Sequence, residues 1–428
     1  MRKSMALTYV ALAGVLMTAC SPGGDSTATS TKDAGGDTSA PKAVSIWYLA
    51  DAVGVEEAIK RFKVNNPDVQ VDAQKYAADQ YKTKLQVALG TKNGPDVFHT
   101  WGGGDFKTYV KAGQVADLGS LDGLAGASDG ISAAALKTGR FDGAQYALPV
   151  TVEASMIWYR TDIFTKLGLT PPKTWPDFLR VIAKTKDSGL VPIAMANKPR
   201  WPGTHWWSEL VAQTCGPDFV QQVTEGAASF DDPCVVKAHG HIQELVDAGA
   251  FNEGFNGLDY DPGESRQLFW SGKAAMNHMG NWTISSAREE APAVLKTMAM
   301  FTLPAVPGAK VSNAAMTGGT NLFAVSKAAK NTKAAAGLLT ELTNQKHAEA
   351  LAAGGRIPVR EGVKVQDPLL QQVADAMTEA PALTPWPDQF LAPAVAEVLL
   401  AQTQALFGKQ TTPEAAAKAL SAAQAKLS

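Results

Sequence analysis

Four segments set tryptophan beside glycine, proline or polar residues: Thr100-Trp101-Gly102-Gly103-Gly104-Asp105, Thr204-His205-Trp206-Trp207, Gly280-Asn281-Trp282 and Pro385-Trp386-Pro387-Asp388. Such surroundings read as loops at element ends, where binding residues concentrate. An indole face stacks on the C–H patch of a sugar ring, while nearby carboxylates, amides and guanidinium groups take hydroxyls. Packing explains any one tryptophan about as well. Four such segments together favour a ligand cleft.

Other chemistries leave weaker traces. The chain has no GxSxG elbow, no Walker loop and no GxGxxG between a strand and a helix. Its six histidines are scattered. His239 and His241 fall on different faces of a helix, and His239 shares its stripe with Ile242 and Val246, so it is expected to be packed. Paired carboxylates for sugar hydrolysis stay open, because 41 acidic residues offer many pairs and sequence does not give their separation.

The elements that must position these residues are α/β. Val44-Ser45-Ile46-Trp47-Tyr48 reads as a strand, and Val55, Ile59 and Phe62 recur at helical spacing. Val69, Val71 and Ala73 alternate after the Asn66-Pro67 turn. Tyr81, Leu85, Ala88 and Leu89 form a second helical stripe, ended by Gly94-Pro95 before a strand at Val97-Phe98. This alternation predicts parallel pairing with helical crossovers. Further on, Thr174-Trp175-Pro176-Asp177 is a capping box and Thr412-Pro413 a helix start. Ala335, Leu338, Leu339 and Leu342 make another amphipathic stripe.

With 45% hydrophobic residues the chain of 428 is globular rather than disordered, and long enough for two or three domains. A net charge of −2 without a basic stripe argues against nucleic acid as a partner. Residues 1–19 read as an export signal: Met1-Arg2-Lys3 is basic, and an apolar stretch runs from Ala6 to Met17. Met17-Thr18-Ala19-Cys20 resembles a bacterial lipobox, with Met17 where Leu is preferred, so Cys20 is the expected lipidation site. Residues 20–41 carry that cysteine and a Ser/Thr/Gly/Asp-rich flexible tether. The remaining pair, Cys215 and Cys234, is expected to form a disulfide in an exported chain. No metal-ligand spacing accompanies them.

From about Val44 onward the chain resembles the extracellular solute-binding proteins of sugar-importing ABC transporters, the maltose/maltodextrin-binding family. Gly94-Pro95-Asp96-Val97, Trp101 and Gly113-Gln114-Val115-Ala116-Asp117-Leu118 are similar to one family stretch. Tyr146-Ala147-Leu148-Pro149 through Val152-Glu153-Ala154 to Tyr159 and Phe164 resembles its first crossover between lobes. Phe269-Trp270-Ser271-Gly272-Lys273-Ala274-Ala275-Met276 with Gly280-Asn281-Trp282 is similar to its most recognisable signature. Gly318-Gly319 with Ala324-Val325-Ser326 resembles a return crossover. The resemblance implies a periplasmic-binding-protein fold of two α/β lobes closing on a sugar, lobe 1 being 42–150 plus 318–355 and lobe 2 being 151–317 plus 356–428. By position Trp101 and Trp282 match stacking aromatics, Glu153 a hydroxyl-binding carboxylate, Asp105 the neighbour of an acidic sugar ligand, and Asp51 a polar contact. Asn281, Trp206, Trp207, Arg356, Trp386 and Asp388 are further candidates. Gly318 and Gly319 offer backbone N–H groups or serve as tight-turn glycines.

The resulting expectation is a lipid-anchored sugar receptor on the outer face of the membrane, monomeric, without cofactor or catalysis. Its partners would be a gluco-, galacto- or xylo-configured sugar of one to a few rings, two permease subunits and a cytoplasmic ATPase. Rival readings are an exported carbohydrate-active enzyme using Glu153 with a second carboxylate, and a polysaccharide adhesin.

Overall fold

The computed structural model describes residues 43–91, 93–311, 316–380 and 383–427. The expected signal, Cys20 and the tether lie outside them. Among the described residues the main sheet has ten strands. In chain order they are β1 (Ala43–Leu49), β2 (Gln70–Tyr76), β3 (Val97–Trp101), β4 (Ala147–Arg160) and β5 (Val191–Ala194). Then come β6 (Ala274–Gly280), β7 (Met298–Phe301), β8 (Met316–Val325), β9 (Ile357–Pro358) and β10 (Leu383–Pro385).

The path through the sheet is β2-β1-β3-β8-β4-β6-β5, with β7 and β9 on β4 and β10 on β8. β1 pairs in parallel with both β2 and β3, as strand–helix alternation requires. The crossover helices bury the predicted stripes: Val55, Ile59 and Phe62 in Val55–Asn65, and Tyr81, Leu85 and Leu89 in Ala78–Leu89. Thr174 and Thr412 cap their helices as expected, each hydroxyl accepting from the N–H three residues on.

Two long strands tie the molecule together. β4 pairs antiparallel with β8 over its first half and with β6 and β7 over its second. Along it, Val150 packs with Val44, Phe62, Phe323 and Leu338, while Ala154 and Met156 pack with Trp158, Phe269 and Met279. β8 makes the reverse passage, from Met316 in the second group to Phe323 and Val325 in the first. The molecule is thus two α/β lobes spanned by shared strands.

One expectation fails here. Trp206 and Trp207 are not loop residues but lie within the helix Trp201–Cys215, at 1% and 0% exposure. Fourteen of that helix's fifteen residues are buried, because it packs between the helices Pro233–Asp247 and Pro393–Phe407. A helix surrounded on all sides has no polar face, so its threonine and histidine neighbours do not signal solvent. Trp206 packs 4.2 Å from the His278 ring, and Trp207 Nε1 donates to His239 Nε2 at 2.8 Å. His239 is accordingly the packed residue its stripe predicts. Cys215 and Cys234 are bridged, joining the end of this helix to the start of Pro233–Asp247.

Candidate functional site

A cavity of about 700 Å³ lies against the middle of the shared strands, at Val150, Thr151 and Glu153 of β4 and Asn321 and Phe323 of β8, a volume typical of small-molecule sites. Its aromatic wall comes from element ends. Trp101 closes β3, Trp282 follows β6, Trp386 follows β10, and Trp201 begins the long buried helix. Trp282 and Trp386 meet edge to face at 5.8 Å, and Trp201 stands edge-on to Tyr260 at 4.7 Å. Hydrogen bonds fix the rings: Trp282 Nε1 donates to Tyr260 Oη at 3.0 Å, and Trp386 Nε1 to Ser155 Oγ at 3.1 Å. His205 lies flat on Trp386 at 5.1 Å and 14°. On the far side Trp101 packs edge to face on His99 and lies under Lys82 Nζ.

The polar wall is anchored on Glu153 and Arg356, both buried. Glu153 Oε1 accepts from Arg356 Nη1 at 3.0 Å, from Asn321 Nδ2 at 3.1 Å and from Thr151 Oγ1 at 3.2 Å. Arg356 Nη2 donates to Asp51, to its carbonyl at 2.9 Å and its carboxylate at 3.0 Å. With Asn321 so oriented its Oδ1 accepts a hydrogen bond from His99 Nε2 at 3.0 Å. That fixes the imidazole as the Nε2–H tautomer, and burial holds its pKa down to about 4. Glu153 Oε2 is buried without a hydrogen-bond partner, a cost unless another molecule supplies a donor. Burial pushes the Glu153 carboxyl up despite the adjacent guanidinium, and it pushes Asp388 up despite Lys82 Nζ at 3.6 Å.

Residues 47–349 match the bacterial extracellular solute-binding protein family. The chain belongs to this family. Among curated relatives of this solute-binding chain, an uncharacterized ABC transporter extracellular-binding protein of Pyrococcus horikoshii is 27% identical over 252 residues, 56% of this chain and 55% of that one. The chain thus spans a little over half the length of that relative. The diacetylchitobiose-binding protein of Streptomyces coelicolor is 28% identical over 89% of this chain and 87% of its own. A solved structure from work on xylan utilization by Caldanaerobius polysaccharolyticus superposes with a TM-score of 0.80 at 26% identity, covering 89% of this chain and 99% of that one. A chitin oligosaccharide binding protein gives 0.80 at 25% identity, covering 90% and 98%. No helix among the described residues is long and apolar enough to cross a membrane.

Within this solute-binding chain the cavity brings together Asp51, Trp101, Glu153, Trp282, Arg356, Trp386 and Asp388. Other nominated residues sit elsewhere. Trp206 and Trp207 are in the core, as described. Asn281 is fully buried, its Oδ1 accepting from the Ala154 N–H at 2.8 Å, so it fastens β6 to β4. Gly318 and Gly319 are strand residues of β8 rather than a turn. A Cβ on Gly318 would stand 2.2 Å from the Glu153 carbonyl, and one on Gly319 3.1 Å from the Trp386 ring. Their lack of a side chain lets those two neighbours approach. Asp105 instead faces a cavity of about 10 Å³ beside Lys82, Trp101 and Tyr109, room for about one water.

Sequence reasoning missed Trp201, His205, Tyr260, Asn321 and Lys82 at the cavity. Trp201-Pro202-Gly203 carries the same glycine and proline signal as the nominated segments. His205 lies inside a nominated segment and Tyr260 precedes Asp261-Pro262-Gly263, whereas nothing local marks Asn321 or Lys82. The glycine run 102–104 has its own account: a Cβ on Gly103 would lie 2.4 Å from the Gln389 carbonyl. The run therefore lets the backbone after Asp388 settle against the Trp101 turn.

Proposed function

We propose that this protein is the sugar-capturing receptor of an ABC importer, holding a mono- or short oligosaccharide between its lobes. The observation that carries the reading is one cavity walled by four tryptophans and floored by a buried carboxylate with one oxygen unpartnered. Indole faces suit the C–H faces of sugar rings, and Glu153, Asp51 and Arg356 suit hydroxyls. The named relatives that bind diacetylchitobiose and chitin oligosaccharides support a saccharide cargo. A gluco-, galacto- or xylo-configured sugar fits the same chemistry. Micromolar capture needs about −8 kcal/mol, within reach of two stacking contacts and several charge-assisted hydrogen bonds after ordering costs. The protein is a binding component rather than an enzyme in this reading.

Residues 42–150 plus 318–355 form lobe 1 of this receptor, and 151–317 plus 356–428 lobe 2. Ligand contacts on both sides favour closure, since only the closed state makes them all. Two permease subunits with a cytoplasmic ATPase would read that closed state, and lipid on Cys20 would keep the receptor at the membrane's outer face. The test is tryptophan fluorescence of the chain from Ser21 on, titrated with mono- and oligosaccharides. A saturable change at micromolar concentration for one sugar is expected. A flat response from folded protein, or recovery of cleaved rather than intact sugar, refutes the proposal.

A further inference from the structure

The charges around the cavity are arranged for more than hydroxyl recognition. Eight carboxylates and five cationic side chains line it, a formal −3 with the histidines neutral. Each of the five cations already has a carboxylate. Arg356 holds Glu153 and Asp51, both at 3.0 Å. Lys82 stands over Asp388 at 3.6 Å. At the rim, Lys198 meets Asp259 at 2.6 Å, and Arg200 meets Glu397 at 2.5 Å. Arg266 grips both oxygens of Glu290, the shorter contact being 2.7 Å. Asp261 and Glu289 add two further negative charges to the lining.

The histidines supply no positive charge at neutral pH. Burial holds His99 near a pKa of about 4 and His205 well below the ordinary imidazole value. Even with Glu153 and Asp388 protonated, the lining has no surplus cation. An anionic ligand would have to take one of the five from its carboxylate, and at the buried Glu153 and Asp388 that one is Arg356 or Lys82. That would leave Glu153 or Asp388, 2% and 5% exposed, as a buried carboxylate without its cation and close to a second negative charge.

We infer that the cleft selects neutral and amino-bearing saccharides and rejects those carrying carboxylate, sulfate or phosphate. The inference rests on the receptor reading and adds the rule by which that receptor discriminates. An amino group on the sugar adds a donor and a charge of the sign the lining favours, so it is tolerated where an acid is not.

Matched pairs test it by calorimetry: cellobiose against cellobiouronate, xylobiose against glucuronosyl-xylose, galactobiose against digalacturonate, and diacetylchitobiose against its deacetylated diamine. In whichever series binds, the uronate is expected to be weaker by at least about a hundredfold. The diamine is expected within about tenfold of its acetylated parent. A uronate that binds as well as or better than its neutral partner overturns the inference and leaves the receptor reading standing. Binding by no member of any series overturns both. Replacing the lining charges together, Asp261→Asn with Glu289→Gln, should narrow the neutral-to-uronate ratio by about tenfold. A large ratio that does not move would show that the exclusion is not electrostatic and would also overturn the inference.

Discussion

Arg356 Nη1 lies 3.0 Å from Glu153 Oε1, with both side chains buried at the place where β9 pairs antiparallel with β4. Arg356 comes just before β9 and Glu153 from the middle of β4, more than 200 residues apart. The guanidinium uses its fork to reach Asp51 as well, so one cation draws together three separated segments. The carboxylate is held by one oxygen and left free at the other. A buried acid is thus held rigid by one oxygen while the other stays unpaired.

Arg356→Met should therefore damage the fold as well as binding. Removing one partner of a buried ion pair costs about 3–5 kcal/mol, because the other charge stays buried without compensation. Urea unfolding of the variant should show that loss. Glu153→Gln keeps an oxygen for Arg356 and should lose ligand affinity more than stability. If Arg356→Met melts like the native protein, the pair does not carry the structural role assigned to it.

Two tryptophans that look alike in sequence should behave oppositely. Trp282→Ala removes a ring that lines the cavity and is expected to weaken sugar binding by about 2 kcal/mol or more, some thirtyfold. Trp206→Ala empties a core position and should cost about 3–5 kcal/mol of stability. Calorimetric titration and thermal melting of both variants separate these effects. A stable, non-binding Trp206→Ala would return that residue to the cleft.

That contrast shows where the sequence was legible. Period places the strands and helices from β1 to β3, because each half-buried face writes its own pattern: Val55, Ile59 and Phe62 are all inward. The helix around Trp206 writes none, since neighbours cover every side of it. Residues nominated by motif position reached the cavity where an element ends there, as at Trp101, Trp282 and Trp386. Tyr260 and Asn321 escaped notice because their roles depend on partners 22 and 168 residues away, Trp282 and Glu153.

The Cys215–Cys234 bridge closes a loop of 19 residues between two core helices, and neither cysteine lines the cavity. Chain-entropy arguments give such a loop about 3 kcal/mol. Reduction should lower the unfolding free energy read from the urea transition by an amount of that order, and the midpoint with it, while leaving saccharide affinity at 25 °C nearly unchanged. Equal midpoints with and without reductant would mean the bridge contributes little to stability.

Stability should also fall with mild acid. Burial lowers the pKa of His99, His239 and His347 from 6.5 to about 4. Well above 6.5 all three are neutral in both states and cost nothing. Below it the unfolded chain takes up protons that the folded one refuses, so unfolding gains free energy as pH falls from 6.5 towards 4. Glu153 and Asp388, whose carboxyls are pushed up by burial, act in the opposite sense, since the folded state protonates them first. The histidines' loss runs from about pH 6.5 downward, and these two carboxyls offset part of it. His205, also held well below 6.5 by burial, acts with the other three histidines, and urea unfolding there should show a loss of a few kcal/mol, lessened when His239→Gln removes one of these sites. A flat profile over that interval would mean these imidazoles take up protons in the folded protein as readily as in the unfolded chain.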